Sequence, residues 1–468
     1  MSRNISIGWK DQFRQVPVED LLKIVLETEK WQARYEKKSE FGIFYDSMIE
    51  GRFTYSDTPL VGTNSFFGGN AGIALFYLRL YILTEDEKWL HKGALLIDHI
   101  IGNYRGTSEY DYTQNGGNTG NGNGVLGGPA GGGLIAEIYF QYTHDRKYRD
   151  YALLIADDAI AAAVTKGRGI TWSGGYGYVA EGSMTLFFKY MFEKTRVKSY
   201  YDAALSTAYY IADQAETVPL VSGKNGRRWY AFDSEGAGYG GKGYFPGYFH
   251  GTAGSAYLLA EIYELTGNSE LLELAEEGAL YIMNIADEDP DAFDGEGAAL
   301  VKYNDPLFPD IYYIGQCQGA AGTSKLFYKL YELTREKAYL DEVIKLTNGM
   351  IASGAPQKHS RGFWHVENYC CGAAGMLEHF LHVYDLTGDR KYYDKAVECA
   401  DVLVRDSFND DGQGRRWYTV TNRHMPQELL APCGLYNGSL GIANSLLELY
   451  NHDVRYKKLP GYIDDPYR

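Results

Sequence analysis

Two cysteines, Cys370 and Cys371, stand side by side in ENYCCGAAG, directly ahead of a helix-like apolar run, and a third, Cys317, stands in the related stretch CQGAAG. His250 holds the matching place in HGTAG. Thiolate is the nucleophilic and metal-binding form of cysteine, and a helix N-terminus favours it because free N–H groups and the helix dipole stabilise negative charge. Converging thiolates repel one another unless a cation joins them. Zinc suits that role, being tetrahedral and content with sulfur, and three protein ligands leave its fourth position open. Adjacent cysteines alone read equally well as small buried apolar residues, and the chain has no CxxC pair. The chemistry therefore depends on whether the fold brings these residues together.

A repeat supplies that link. Two glycines three apart precede an apolar run in GNAG (Gly69 to Gly72), GPAG (Gly128 to Gly131), GTAG (Gly251 to Gly254), GAAG (Gly319 to Gly322), GAAG (Gly372 to Gly375) and GSLG (Gly438 to Gly441), and VAEG (Val179 to Gly182) lacks only the first glycine. Twelve residues past the second glycine stands Thr84, Thr143, Thr266, Thr334 or Thr387, and Tyr81, Tyr263, Tyr331, Tyr384 or Tyr450 lies three residues before that position. The steps between second glycines run from 51 residues (Gly131 to Gly182) to 72 (Gly182 to Gly254). That is room for one helix, a turn, another helix and a variable loop.

The second helix of each unit is visible as an amphipathic run, for example KYRDYALLIADDAIAAA and KYYDKAVECADVLV, with apolar residues three and four apart. Together with VEDLLKIVLETEKWQARY near the N-terminus this predicts seven helical hairpins. Such hairpins bury their apolar faces on their neighbours. No polar capping repeat stands at either end, so the expected fold is all-α, a closed α/α toroid whose Gly-opened helices form the inner ring. Residues 1–468 are expected to form a single domain, with its first helix from about residue 18 and a Tyr-rich tail at 456–468.

If the inner helices share one sense, their N-termini meet at a common mouth. One residue before the first glycine of each copy stand Gly68, Gly127, Tyr178, His250, Gln318, Cys371 and Asn437, and one further back stand Phe67, Leu126, Gly177, Phe249, Cys317, Cys370 and Tyr436. Three of the five cysteines thus fall in two adjacent columns, with His250 one repeat away. This register favours Cys317, Cys370 and Cys371 as zinc ligands. Cys399 reads as core, and Cys433 is open between core and site.

Composition narrows the rest. A net charge of −16 argues against nucleic acid as a partner, because phosphate affinity needs clustered Lys and Arg. No stretch has the roughly 18 uninterrupted apolar residues of a membrane span, and no signal-like N-terminal segment is evident, so a soluble, cytoplasmic protein is expected. An odd cysteine count crowded into the C-terminal third suits a reducing compartment.

HGTAG, CQGAAG and CCGAAG, in that order within a sevenfold helical repeat, resemble the LanC-like family of lanthionine synthetase cyclases over nearly the whole chain. The resemblance implies an α/α toroid with a catalytic zinc that adds a peptide cysteine thiol to dehydroalanine or dehydrobutyrine, closing a thioether ring. It also implies a dehydrated precursor peptide as substrate and a separate dehydratase to prepare it. Cys371 replaces the family's usual histidine ligand and resembles a three-cysteine subtype. An Arg common four residues before the first cysteine is Tyr313 here, and an Asp of the third copy is matched by Gly175. His250 is the expected acid for protonating the α-carbon, with Tyr313 and Glu181, or Tyr178, as candidates to compensate for the two departures.

Other readings stay open on the sequence. A LanC-like relative could add glutathione to dehydroamino acids. A carbohydrate-active toroid could draw the paired carboxylates of sugar hydrolysis from Asp233, Glu235 and Asp310, and a non-catalytic scaffold could bind peptides. GRRWY occurs at Gly226 to Tyr230 and again at Gly414 to Tyr418, and Trp172 and Trp364 are similarly placed. These aromatics either share a structural loop position or line the mouth for a peptide.

Overall fold

A computed structural model describes residues 16–46, 48–51, 64–106, 124–230, 244–305, 308–358, 366–420 and 429–468. In chain order the helices are α1 (Leu21–Ala33), α2 (Asn70–Thr84), α3 (Glu87–Asn103), α4 (Pro129–Thr143), α5 (Arg146–Ala162), α6 (Met184–Thr195) and α7 (Lys198–Asp213). There follow α8 (Thr252–Thr266), α9 (Ser269–Ile285), α10 (Ala320–Thr334), α11 (Lys337–Ala352), α12 (Ala373–Thr387), α13 (Arg390–Arg405) and α14 (Ser439–Tyr450). Each even-numbered helix from α2 to α12 packs on the helix that follows it. These six pairs and the pair α14 with α1 make seven hairpins.

The ring closes through its ends. α14 packs on α12, on α2 and on α1, so the first helix of the chain is the outer partner of the last inner helix. A small sheet repeats the closure, with Leu429–Pro432 pairing antiparallel both to Met48–Gly51 and to Thr419–Val420. The inner helices are buried nearly all round, as α2 shows from Asn70 to Leu80, whereas α13 buries only one face through Tyr392, Ala396, Cys399 and Leu403. That division is the two-layer burial that the apolar patterns predict.

Inner helix passes to outer helix by one device. The hydroxyls of Thr84, Thr143, Thr266, Thr334 and Thr387 each donate to the carbonyl four residues back and accept the N–H two residues ahead. Satisfying orphan groups at a helix end in this way fixes the turn. Thr195 does the same in the third copy, thirteen residues past Gly182, so the repeat holds there with one extra residue.

The second glycine of every copy is a steric necessity. A Cβ on Gly72, Gly131, Gly182, Gly254, Gly322, Gly375 or Gly441 would lie 1.8 to 2.4 Å from the carbonyl oxygen six residues earlier. The chain there folds back onto the helix start, and that fold-back forms the mouth. Around the mouth, main-chain N–H groups of Tyr436, Phe67, Val179, Phe249, Cys317 and Cys370 donate to carbonyls of Phe67, Leu126, Phe249, Cys317, Cys370 and Tyr436 respectively, at 2.6 to 3.0 Å. At the remaining step the Ser183 hydroxyl accepts Val125 N–H at 2.9 Å.

Candidate metal centre

This belt places the thiols. Cys317 N–H donates to the Cys370 carbonyl at 2.9 Å, which sets the fifth and sixth copies edge to edge. Cys371 N–H is held by the Asn368 side-chain oxygen at 2.9 Å, aligning the turn ahead of α12. Cys317 Sγ lies 3.4 Å from Cys371 Sγ, and Cys371 Sγ lies 3.5 Å from Cys370 Sγ. All three sulfurs are within 4.8 Å of one another. Cys317 and Cys370 are buried and Cys371 is partly exposed, so the cluster is reached from the Cys371 side.

The donor set fits zinc. Zinc–sulfur bonds of about 2.3 Å at tetrahedral angles separate sulfurs by about 3.8 Å, close to the spacing observed. The contact with Cys370 pulls the Cys317 thiol down, but the Cys371 contact and burial outweigh it and hold it well above the ordinary thiol range. Contacts with Cys317 and Cys371, then burial, likewise push Cys370 up. Three sulfurs this close, two of them buried, lose their protons only with a cation among them. Among the described residues this is the cluster of three metal-ligating side chains that the fold assembles.

His250 follows Phe249, whose N–H donates to the Cys317 carbonyl at 2.6 Å, so it occupies the next step of the belt. Burial pushes its imidazole down to about 4, leaving it neutral at neutral pH. Its ring meets Phe245 at 6.0 Å, Phe245 meets Tyr303 at 5.1 Å, and Tyr303 stacks on Tyr313 at 4.5 Å. Tyr313 is thus buried in an aromatic file that leads to His250. Tyr178 is buried against Tyr248 and Phe249, with ring centroids at 5.0 and 5.5 Å.

Glu181 is placed otherwise. Its carboxylate accepts Thr171 Oγ1 at 2.7 Å, Trp172 N–H at 2.9 Å and both the N–H and the hydroxyl of Ser173. Thr252 and Ser439 hydroxyls accept the N–H of Trp229 and Trp417 in the same manner. Glu181 is thus the third copy's version of a loop anchor. The three indoles are buried too, each donating Nε1–H to an outer-helix carbonyl, that of Ala159, Ile211 or Leu403. For these tryptophans the structural reading of the loop holds.

Trp364, Asp233 and Glu235 lie outside the described residues, and Asp310 is described only as part of the strand Phe308–Tyr312. Cys399 is buried in α13. Cys433 is buried and its Sγ contacts the Asp46 carbonyl at 3.0 Å, apart from the cluster. Sequence reasoning did not anticipate Asn368, nor Gln316, whose Nε2 donates to Gly375 O at 2.9 Å and pins adjacent inner-helix starts together. Isolated amides carry no periodic signal.

No helix among the described residues is long and apolar enough to cross a membrane. Nisin cyclase shares the fold, with 15% sequence identity and a TM-score of 0.57 over 93% of each chain. A sugar epimerase from a ruminal bacterium (12% identity, TM-score 0.46, 93% of this chain and 99% of that one) and the GH76A α-1,6-mannanase from Salegentibacter sp. HEL1_6 (13% identity, TM-score 0.45, 92% and 99%) are less similar. No curated protein matches the sequence. Residues 61–462 match the lanthionine synthetase C-like proteins, and with the ring of seven hairpins and the three thiols at its mouth the chain belongs to that LanC-like family.

Proposed function

We propose that the chain is a zinc-dependent cyclase that joins a peptide cysteine thiol to a dehydroalanine or dehydrobutyrine residue of the same peptide. The observation that carries this reading is the meeting of Cys317, Cys370 and Cys371 at one partly open point of the mouth. Zinc held by these sulfurs would lower the pKa of a substrate thiol and hold its sulfur at the open position. The chain's own residues supply the remainder. Neutral His250 takes up the thiol proton and returns it to the α-carbon after the S–C bond has formed at the β-carbon and the double bond has been consumed. Tyr313 positions His250 through Tyr303 and Phe245, and Glu181 fixes the third loop of the mouth. Net atoms are conserved, so the product is an isomer of the dehydrated peptide.

The test measures zinc per chain in wild type, Cys317→Ala and Cys371→Ala, then presents wild type with a peptide that carries one cysteine and one dehydroalanine. About one zinc per wild-type chain, reduced in both variants, is expected, together with loss of alkylatable thiol at unchanged peptide mass. Metal-free wild type, or a peptide thiol that stays fully alkylatable, sinks the proposal. Gain of the mass of added glutathione without ring closure would instead favour the glutathione reading.

A further inference from the structure

From Leu459 to Tyr467 the C-terminal segment is buried or half-buried against the inner helices. The carbonyl of Pro460 accepts Nε–H and Nη2–H of Arg79 on α2 at 2.8 and 2.6 Å, Asp464 pairs with Lys325 on α10 at 2.7 Å, and Arg468 pairs with Glu448 on α14 at 2.6 Å. Tyr467 stacks on Tyr328 of α10 and on His382 of α12 at 4.4 and 4.6 Å. A segment touching four inner helices in this way runs inside the ring. Arg79, Lys325, Asp464 and Glu448 are all buried, and burying such charges is tolerated only when each is paired.

At the inner end of this plug is Tyr462, 4% exposed. Its ring stacks on Tyr369 at 4.5 Å and 18°, and meets Tyr436 edge-on at 5.3 Å; Tyr369 and Tyr436 meet each other at 5.2 Å and 88°. The triangle closes on the metal centre's backbone, since Tyr369 directly precedes Cys370 and the Tyr436 carbonyl accepts Cys370 N–H at 2.9 Å. We propose that Tyr462, carried into the ring by the C-terminal segment, is a positioning residue for the three-thiol centre, wedging the Cys370–Cys371 turn against the seventh copy. The inference rests on reading that centre as a metal site. Groups that orient ligands without touching the metal typically change its affinity by about 10- to 100-fold.

The probe is cobalt(II), a coloured stand-in for zinc, bound to the full chain and competed with a chelator. Tyr462→Leu fills space without a flat ring, and Tyr462→Phe keeps the ring while losing only the Asn444 hydrogen bond. Expected is about tenfold or greater weakening of cobalt binding with altered thiolate–cobalt absorption in Tyr462→Leu, and wild-type behaviour in Tyr462→Phe. Tyr462→Met, whose flexible side chain fills irregular gaps, carries the same comparison if the Leu variant does not fold. Leu96→Ala, a core truncation in α3, reports the effect of lost stability alone. Undiminished affinity in whichever of Tyr462→Leu and Tyr462→Met folds, or equal weakening in Leu96→Ala, overturns the positioning role while leaving the metal site standing. A wild type that binds no cobalt overturns both.

Discussion

Cys317 and Cys370 are joined through their backbones, N–H to carbonyl at 2.9 Å, before their side chains meet at all. The three-thiol cluster is therefore a local feature of a belt that encircles the mouth, and its geometry is that of the repeat. A cysteine placed in the same column of two neighbouring copies must converge with its counterpart, whatever else the loops do.

Cys371 sets the charge of the centre. A divalent ion with three thiolates carries one net negative charge, whereas two thiolates and a neutral imidazole leave it neutral. The richer set holds a fourth, substrate thiolate less tightly and leaves it more nucleophilic. Cys371→His is expected to retain one zinc per chain and to slow thiol addition by about tenfold, one Brønsted-scale step rather than abolition. Equal or faster addition by the variant would show that ligand charge does not control the rate.

His250 is expected to act on protons and not on the metal. His250→Phe keeps a ring in the half-buried space and should keep zinc content while lowering turnover of the dehydrated peptide by about 10²- to 10⁴-fold. A variant that loses zinc would make His250 a support of the centre, and one with full turnover would remove it from the reaction.

Gly375 and Gly388 bracket α12 and should respond differently to the same methyl group. A Cβ on Gly375 would lie 2.2 Å from Tyr369 O and 2.6 Å from Gln316 Cγ, both part of the centre's support. Gly375→Ala is expected to cost about 3 kcal/mol or more and to reduce zinc content. Gly388 has φ +72° but nothing within 4 Å of its Cβ position, and Glu85, His144, Arg196 and Arg335 occupy the same left-handed position after other inner helices. Gly388→Ala should cost about 1 kcal/mol and leave zinc content unchanged, as chemical denaturation and elemental analysis would show.

Much of this was legible because a repeat converts sequence register into spatial register. The glycine pairs mark where the chain must cross its own helix start, the threonines mark the turns, and the cysteine columns follow from both. The third copy was harder to read because its extra residue shifts Thr195 and replaces a hydroxyl anchor with Glu181, whose carboxylate looks catalytic in a sequence and is engaged by a loop in the structure. Short hairpins such as Ala215–Pro219 with Asn225–Trp229 escaped notice because their strands are too brief for alternation to show. The plug was illegible for another reason. Tyr462, Asp464 and Arg468 belong to no repeat, and their partners on α2, α10 and α14 are set by the ring as a whole.

Two buried groups predict how stability depends on pH. Burial holds the Glu342 carboxyl up to about 7 from its ordinary 4.5, so the folded chain keeps a proton that the unfolded chain sheds. Its contribution is lost as pH rises from about 4.5 through 7. Burial pushes His379 down to about 3 from 6.5, so the unfolded chain takes up a proton that the folded chain refuses, and stability falls as pH drops from about 6.5 towards 3. Glu342→Gln should therefore gain on wild type, by on the order of 2 kcal/mol, between pH 5 and 8, and His379→Gln should gain on it between pH 6.5 and 4.5. Denaturant midpoints of the three proteins across this range give the answer: parallel curves would mean that neither group changes its protonation on folding, and opposite slopes of the two differences would assign one arm of the profile to each.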